Sequence, residues 1–396
     1  MSEHADGIVR EVAAAVKLAE GEAGVRSVIH AVRRLEPAAT RTLSRATSLP
    51  VPIVAAIAGE LRKRGILARE RPTRLTPQGR RLFGGPAAAR SLDCTCTACN
   101  GMGQRIADEL EPLVAALERI SAGAPPARTE LDQSHCTAET KLRRVLALHQ
   151  CGALEGKRIV LLGDDDLVAV AIHLLSAYGG FADSIRELTV IDIDPRVLAY
   201  IGRQLRDAPF DVSLVEHDLR RPLPAVLAGG FDTVFTDPPY TAAGVELFLS
   251  RAAAALEPAP GRHVFLAYGP KPPAESLRLQ RAIVSMGFVV RLIAPNFNEY
   301  LHASILGGAS HLYHLVSTEE TRPLARGRFG DMIYTGAFRA PRPYRCASCD
   351  TIQRVGRGAA FATVDMLRQA GCPECGATKF RPLPRRATGH ASSRSA

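Results

Sequence analysis

From Asp132 to about Ser317, strand-like and helix-like apolar patterns alternate without interruption, and this alternation constrains the fold more than any other feature. Short aliphatic runs separated by helical spacings imply a mostly parallel sheet with helices on both faces. The spacing predicts strands at Arg158–Leu162, Glu187–Ile191, Val212–Glu216, Thr233–Thr236, His263–Ala267, Val289–Ile293 and His311–Val316. Helices are expected between them, as at Leu167–Ala177, Pro195–Leu205 and Val245–Leu256. Seven strands in this order match an α/β, Rossmann-like, methyltransferase-type sheet. Gly-x-Gly-x-x-Gly is absent, which argues against an ordinary dinucleotide fold.

Open sheets of this kind bind ligands beyond the carboxyl ends of their strands, and carboxylates collect there. After the first strand, Gly163 is followed by Asp164, Asp165 and Asp166. Three aspartates disfavour the α-carboxylate of S-adenosylmethionine and favour a donor with only a cationic aminopropyl tail. Asp192 and Asp194 end the second strand, where a carboxylate accepts both ribose hydroxyls; Asp194, before Pro195, also suits a helix cap. Asp218 and Leu219 end the third, at the place of an adenine amine. Asp237-Pro238-Pro239-Tyr240 ends the fourth, putting a carboxylate, backbone carbonyls and an aromatic ring around an amine nucleophile.

Charge divides the chain. The whole carries +10, yet Lys157 to Ser250 holds 14 Asp/Glu against 8 Lys/Arg, so this segment is −6 and the remainder +16. The middle suits a cationic ligand, while the basic ends leave room for nucleic acid. No apolar run approaches the length of a membrane span, and the first residues lack the pattern of a signal peptide. A cytoplasmic location without membrane contact is expected, with most of the nine cysteines as metal ligands or buried thiols.

Five regions are expected. Residues 1–90 read as a winged-helix-like domain, with helices at Val25–Leu35, Thr40–Ala46 and Val51–Arg64, a wing over Gly65–Pro77 and a last basic helix from Gln78. Such a domain reads DNA through the second helix of its pair, or serves packing and dimerisation. Residues 91–130 hold a Cys-rich knuckle (Cys94, Cys96, Cys99) and a linker at Ser121–Ala127. The knuckle supplies two or three zinc ligands, or its thiols are simply reduced. Residues 131–320 form the catalytic sheet. Residues 321–384 carry Cys346-x-x-Cys349 and Cys372-x-x-Cys375, a spacing that predicts a structural zinc ribbon. Residues 385–396 read as a disordered tail.

Together, Asp132-Gln133 with Thr137-Ala138-Glu139-Thr140, Gly163 to Asp166, Val190 to Asp194, Asp237 to Thr241 and Asn296-Phe297-Asn298-Glu299-Tyr300 resemble the branched-chain polyamine synthases, N(4)-bis(aminopropyl)spermidine synthases. The resemblance covers roughly residues 25 to 320. It implies transfer of aminopropyl groups from decarboxylated S-adenosylmethionine to the secondary amine of spermidine, releasing methylthioadenosine. It assigns Gln133, Thr137, Gly163, Asp192, Asp194, Asp218 and Leu219 to the donor. Asp164, Asp165 and Asp166 then hold and activate the amine, Asp237 and Tyr240 line the acceptor site, and Pro238, Glu299 and Tyr300 add substrate contacts. A homodimer is expected. The C-terminal ribbon lies outside the family pattern and is expected to displace a tail that would close over the site.

Two other classes fit parts of the chain. An S-adenosylmethionine-dependent amino-methyltransferase of nucleic acid shares Asp-Pro-Pro-Tyr, with Tyr240 stacking on an extruded base; the aspartate run leaves no place for the methionine carboxylate. A non-catalytic sensor has no need of an amine-nucleophile turn.

Overall fold

The run Arg158–Leu162 (β1) is buried along nearly its whole length, and its neighbours explain why. It pairs in parallel with Glu187–Asp192 (β2) on one side and Thr233–Thr236 (β4) on the other. Asp211–Glu216 (β3) extends the sheet beyond β2, and His263–Tyr268 (β5) extends it beyond β4, both parallel. Ala309–Ser317 (β7) then inserts antiparallel between β5 and Phe288–Glu299 (β6), giving the order β3-β2-β1-β4-β5-β7-β6. Strands covered on both faces read as continuous apolar runs, as β1, β2, β4 and β5 do; the edge strand β3 has no fully buried position.

This computed structural model describes residues 3–84, 99, 103–301, 308–335, 342–355, 359–361 and 364–383. The helices Ala138–Gln150, Val168–Gly179 and Pro195–Gln204 pack one face of the sheet through Leu142, Val145, Ile172, Val197 and Ile201. Ala242–Ala255 and Pro273–Ser285 pack the other through Leu247, Leu249, Leu279 and Ile283. The helix Glu111–Ala122 sends Leu113, Val114 and Leu117 into the first of these cores, so the sheet's own packing reaches back into residues 91–130, ahead of the linker expected at Ser121–Ala127.

The expected strands fall within one or two residues of those observed, except that β6 is longer, running on to Glu299. Two β-irregularities let it do so and carry its end over the site. The amino-terminal region has its own core, built by Glu3–Val16, Gly21–Leu35, Thr40–Thr47 and Val51–Lys63. The first of these helices was not expected, although Ala5, Ile8, Val9 and Val12 lie on one helical face. In place of a regular wing, the chain after Gly65 makes the bridges Leu67–Leu75 and Ala38–Thr73 and ends in a helical turn over 77–84. At the other end, Arg342–Cys346 (β8), Ile352–Val355 (β9) and Phe380–Pro382 (β10) form a small antiparallel sheet in the order β10-β8-β9. The residues beyond 383 lie outside the described residues.

Candidate active site

The loops after β1 to β4 surround a cleft of about 570 Å³, open to solvent. Its lining includes Asp132, Asp165, Asp192, Asp218 and Asp237, with Gln133, Gly163, His217 and Leu219, and no Lys or Arg among the described residues. Five carboxyl groups, with no basic side chain among the described lining residues, make a site for a positively charged ligand.

Three consecutive aspartates in one turn point to three different tasks. Gly163 sits at φ +77°, a conformation that favours glycine, and turns the chain sharply after β1. Asp164 is buried and accepts from the amides of Val168 (2.6 Å) and Ala169 (3.0 Å), so it caps the Val168–Gly179 helix. Asp165 faces the cleft and accepts only the Ser134 amide, at 3.2 Å. Burial and the neighbouring carboxylates of Asp166 and Asp192 push its carboxyl well above the ordinary range. Asp166 turns inward, accepting from the Cys136 amide (2.5 Å) and the Arg144 guanidinium (2.6 Å). Burial acts to raise its pKa, and Arg144 with Lys141 more than reverses that, so it stays ionised.

Arg144 is the residue that sequence reading missed. It projects from the Ala138–Gln150 helix, fully buried, and no local pattern distinguishes it from a surface arginine. Its guanidinium donates to Asn298 Oδ1 (2.8 Å), Asp166 (2.6 Å), Asp237 (2.7 Å) and the Tyr300 hydroxyl (2.9 Å), and lies over the Phe235 ring. Each of the three guanidinium nitrogens donates, which is what a buried guanidinium requires. Tyr300 donates to Asp237 at 2.6 Å, and Tyr240 donates to Tyr300 at 2.7 Å. Burial raises the Asp237 carboxyl, Arg144 offsets part of this, and the result is a pKa of about 6.

The donor side is equally particular. Asp192 accepts from the amides of Asp164 (2.9 Å) and Asp194 (2.8 Å), which fix its carboxylate at the cleft wall. Asp194 caps the Pro195–Gln204 helix and pairs with Arg196 at 2.6 Å; it is fully buried and does not line the cleft. Asp218 lines the cleft while held by Arg220, and Leu219 packs beside it. Gln133 lines the cleft and donates to Asp194 at 3.4 Å. Thr137 instead caps the Ala138–Gln150 helix by accepting from the Thr140 amide.

Pro238 is buried behind the turn, and its neighbour Pro239 reaches the cleft. The Tyr240 carbonyl accepts from Lys271 Nζ at 2.6 Å. Glu299 points away, pairing at 2.6 Å with Arg45 of the amino-terminal region, so it clasps that region to the end of β6. His135, Asp165 and Asp166 bring potential metal-ligand atoms together. The His135 nitrogens already face the carbonyls of Asp165 and Pro125, and Asp166 is taken by Arg144.

The expectation that the ribbon displaces a closing tail is corrected by the segment after β7. Arg251, fully buried, holds it through the carbonyls of Ala325 (2.6 Å) and Gly327 (2.9 Å), and Thr241 donates to the Ile333 carbonyl at 2.7 Å. Asp132 accepts from the amide and hydroxyl of Thr335, at 2.6 and 2.7 Å. Ile333 and Tyr334 therefore line the cleft, and the ribbon begins beyond them.

Residues 113–319 match the family model described as the branched-chain polyamine synthase A C-terminal domain, just over half of the chain. The chain belongs to the branched-chain polyamine synthase family. An N(4)-bis(aminopropyl)spermidine synthase of Thermus thermophilus is 32% identical over 300 residues, 74% of this chain and 81% of that one. An uncharacterized protein of Methanocaldococcus jannaschii is 34% identical over 387 residues, 96% of this chain and 93% of that one, a span that takes in the ribbon segment. Among solved structures, the C9 mutein of the Thermus thermophilus branched-chain polyamine synthase superposes with a TM-score of 0.66 at 25% identity, covering 84% of this chain and 97% of that one. That structure holds N4-aminopropylspermidine and 5'-methylthioadenosine.

Proposed function

We propose that this polyamine synthase transfers aminopropyl groups from decarboxylated S-adenosylmethionine to spermidine or a related polyamine. The observation that carries the reading is the cleft lining, five carboxylates and no basic side chain. A carboxylated donor would bring a sixth carboxyl group into this lining, where no described basic side chain meets it; an aminopropyl sulfonium and a polyamine bring only positive charge. The product complex of the Thermus thermophilus mutein supports the same chemistry.

Asp192 holds the donor ribose, and Leu219 with Asp218 borders the adenine. The acceptor amine attacks the aminopropyl carbon next to sulfur. A C–N bond forms, the C–S bond breaks, and methylthioadenosine leaves with the bonding pair. Asp165 takes the proton from the amine. Its raised pKa lies closer to that of an ammonium than an ordinary carboxylate's does, which proton transfer favours. The Ser134 amide holds this carboxylate, Arg144 positions Asp237 from behind, and Asp237 with Tyr240 and Tyr300 borders the amine. The test is mass spectrometry of spermidine incubated with purified protein and the decarboxylated donor. Mass gains of one or two aminopropyl units support the reading; an unchanged polyamine contradicts it.

The four cysteines of the small sheet fit zinc. Cys346 Sγ lies 3.6 Å from Cys375 Sγ, and Cys349 Sγ 3.5 Å from Cys372 Sγ. Tetrahedral Zn–S bonds of about 2.3 Å place sulfurs about 3.8 Å apart, while a disulfide would draw them to about 2 Å. Such an ion would staple a segment whose apolar core is small. Cys94 and Cys96 lie outside the described residues, and Cys99 joins no ligand cluster among the described residues.

The amino-terminal region is read as a winged-helix-like unit used for packing. The Val51–Lys63 helix, which would be its DNA-reading element, exposes Pro52, Ala55 and Ala56 over its first two turns and a basic residue, Lys63, only at its end. A homodimer is supported by the edge strand β6, which leaves Val289, Val290, Leu292 and Ile293 exposed. No described helix is long and apolar enough to cross a membrane.

A further inference from the structure

The small carboxy-terminal sheet has a second face that aminopropyl transfer does not use. Cys346, Val355 and Phe380 turn inward and are buried, with Tyr344 packed against them. The alternate positions, Arg345, Ile352, Arg354 and Arg381, are all exposed on the opposite face. The register puts Arg345 directly across from Arg381 on one side and from Ile352 on the other. Arg354, opposite Pro343, is the diagonal neighbour of Arg345. Like charges directly opposite in an antiparallel pair destabilise it. Among the described residues only Asp350 offers relief, at 4.0 Å from Arg345 and itself 84% exposed. Among the described residues, neither Arg354 nor Arg381 has a carboxylate partner. The chain then continues through Arg385, Arg386 and Arg394 with no Asp or Glu after Glu374.

We propose that this arginine face docks the phosphate backbone of nucleic acid, without regard to sequence. Guanidinium forks match phosphate oxygens, and a row of them relieves its own repulsion when an anionic chain lies across it. Among the described residues the face has no aromatic ring to stack on a base, so it contacts backbone and not sequence. Ile352 is its only exposed apolar side chain, too little for the apolar centre of a protein interface. The catalytic segment, at −6, repels the same ligand, so nucleic acid stays on the ribbon and the cleft remains open to polyamine. The inference rests on strand register and charge, independent of the aminopropyl reading.

Fluorescence anisotropy of the full-length protein tests it, with labelled single strands and duplexes of several unrelated sequences between about 50 and 200 mM salt. The expected result is binding that varies only a few-fold with sequence and weakens steeply with salt. Replacing Arg345, Arg354 and Arg381 together by Gln should weaken binding at least about 10-fold. It should also flatten the log–log salt slope by about 2 to 3, since each phosphate contact contributes about 0.7 to 0.9. Cysteine-bound metal content and polyamine turnover should be unchanged, which shows that the variant is folded. An unaltered affinity or slope in that variant overturns the proposal. So does absence of binding at the lowest salt, or retention by this face of an acidic protein after nuclease treatment.

Discussion

Replacing Arg144 by Met removes the one cation that holds two buried carboxylates. Asp166 and Asp237 lie 2.6 and 2.7 Å from its guanidinium, and their side chains are 5% and 14% exposed. Breaking a buried pair by deleting one partner costs about 3–5 kcal/mol, because the remaining charge has no water and no partner. For a domain of this size that corresponds to a fall in Tm of roughly 6–20 °C. The loss should depend on pH in a defined direction. In the native protein Asp166 has a lowered pKa, so its contribution is present above its unfolded value and is lost as pH falls. Without Arg144, Lys141 at 3.9 Å and the Cys136 amide still favour the Asp166 carboxylate and Tyr300 that of Asp237, but the largest opposing influence on burial is gone and both carboxyls rise. Their contribution is then present at acid pH and is lost as pH rises through the folded values. The deficit should therefore be smallest near pH 5 and grow toward pH 8. Chemical denaturation of both proteins across that range measures it. Adding Asp166→Asn and Asp237→Asn to the Met variant should recover much of the loss, because no buried charge then remains. A deficit below about 1 kcal/mol, or one that shrinks as pH rises, refutes the electrostatic reasoning.

Other consequences can be checked in the same preparations. Asp165→Asn should lower kcat by about 10²- to 10³-fold with donor affinity nearly kept, since general-base loss falls in this range. Asp192→Ala should instead weaken donor binding by about 10- to 100-fold, as loss of a charge-assisted hydrogen bond does; equal loss of donor affinity in both variants contradicts the roles given. Turnover should fall as pH drops through about 6, where Asp237 protonates, and Asp237→Asn should abolish that limb of the pH profile. Chelation should open the Cys346–Cys375 segment to proteolysis while the sheet keeps its cooperative melt, and an unchanged digestion pattern contradicts the zinc assignment.

Much of the catalytic sheet was legible in the sequence because strands covered on both faces are continuous aliphatic runs bounded by Gly, Asp and Pro. The positions of Asp192 and Asp237 followed from strand ends alone. What stayed hidden depends on contacts across the chain. Arg144 meets partners 22, 93 and 156 residues away, and Glu299 meets Arg45 across 254 residues. The aspartate run was recognised as acidic but not as divided, because a tight turn sends successive side chains in unlike directions. Asp164 and Thr137 are caps, and the signal for both was present, a polar residue just ahead of a helical apolar pattern. The helix Glu111–Ala122 carries Leu113, Val114 and Leu117 at core spacing, a short apolar signal beside the Pro- and Gly-containing loop that follows it.

On the proposed reading, this cleft selects its donor by refusing a carboxylate. Titration calorimetry with decarboxylated and intact S-adenosylmethionine, on one protein preparation in one buffer, tests it most directly. The expected result is binding of the decarboxylated donor at least about 100-fold tighter, a difference of about 2.7 kcal/mol. Equal or tighter binding of the carboxylated donor, with methyl transfer to nucleic acid, would contradict the account.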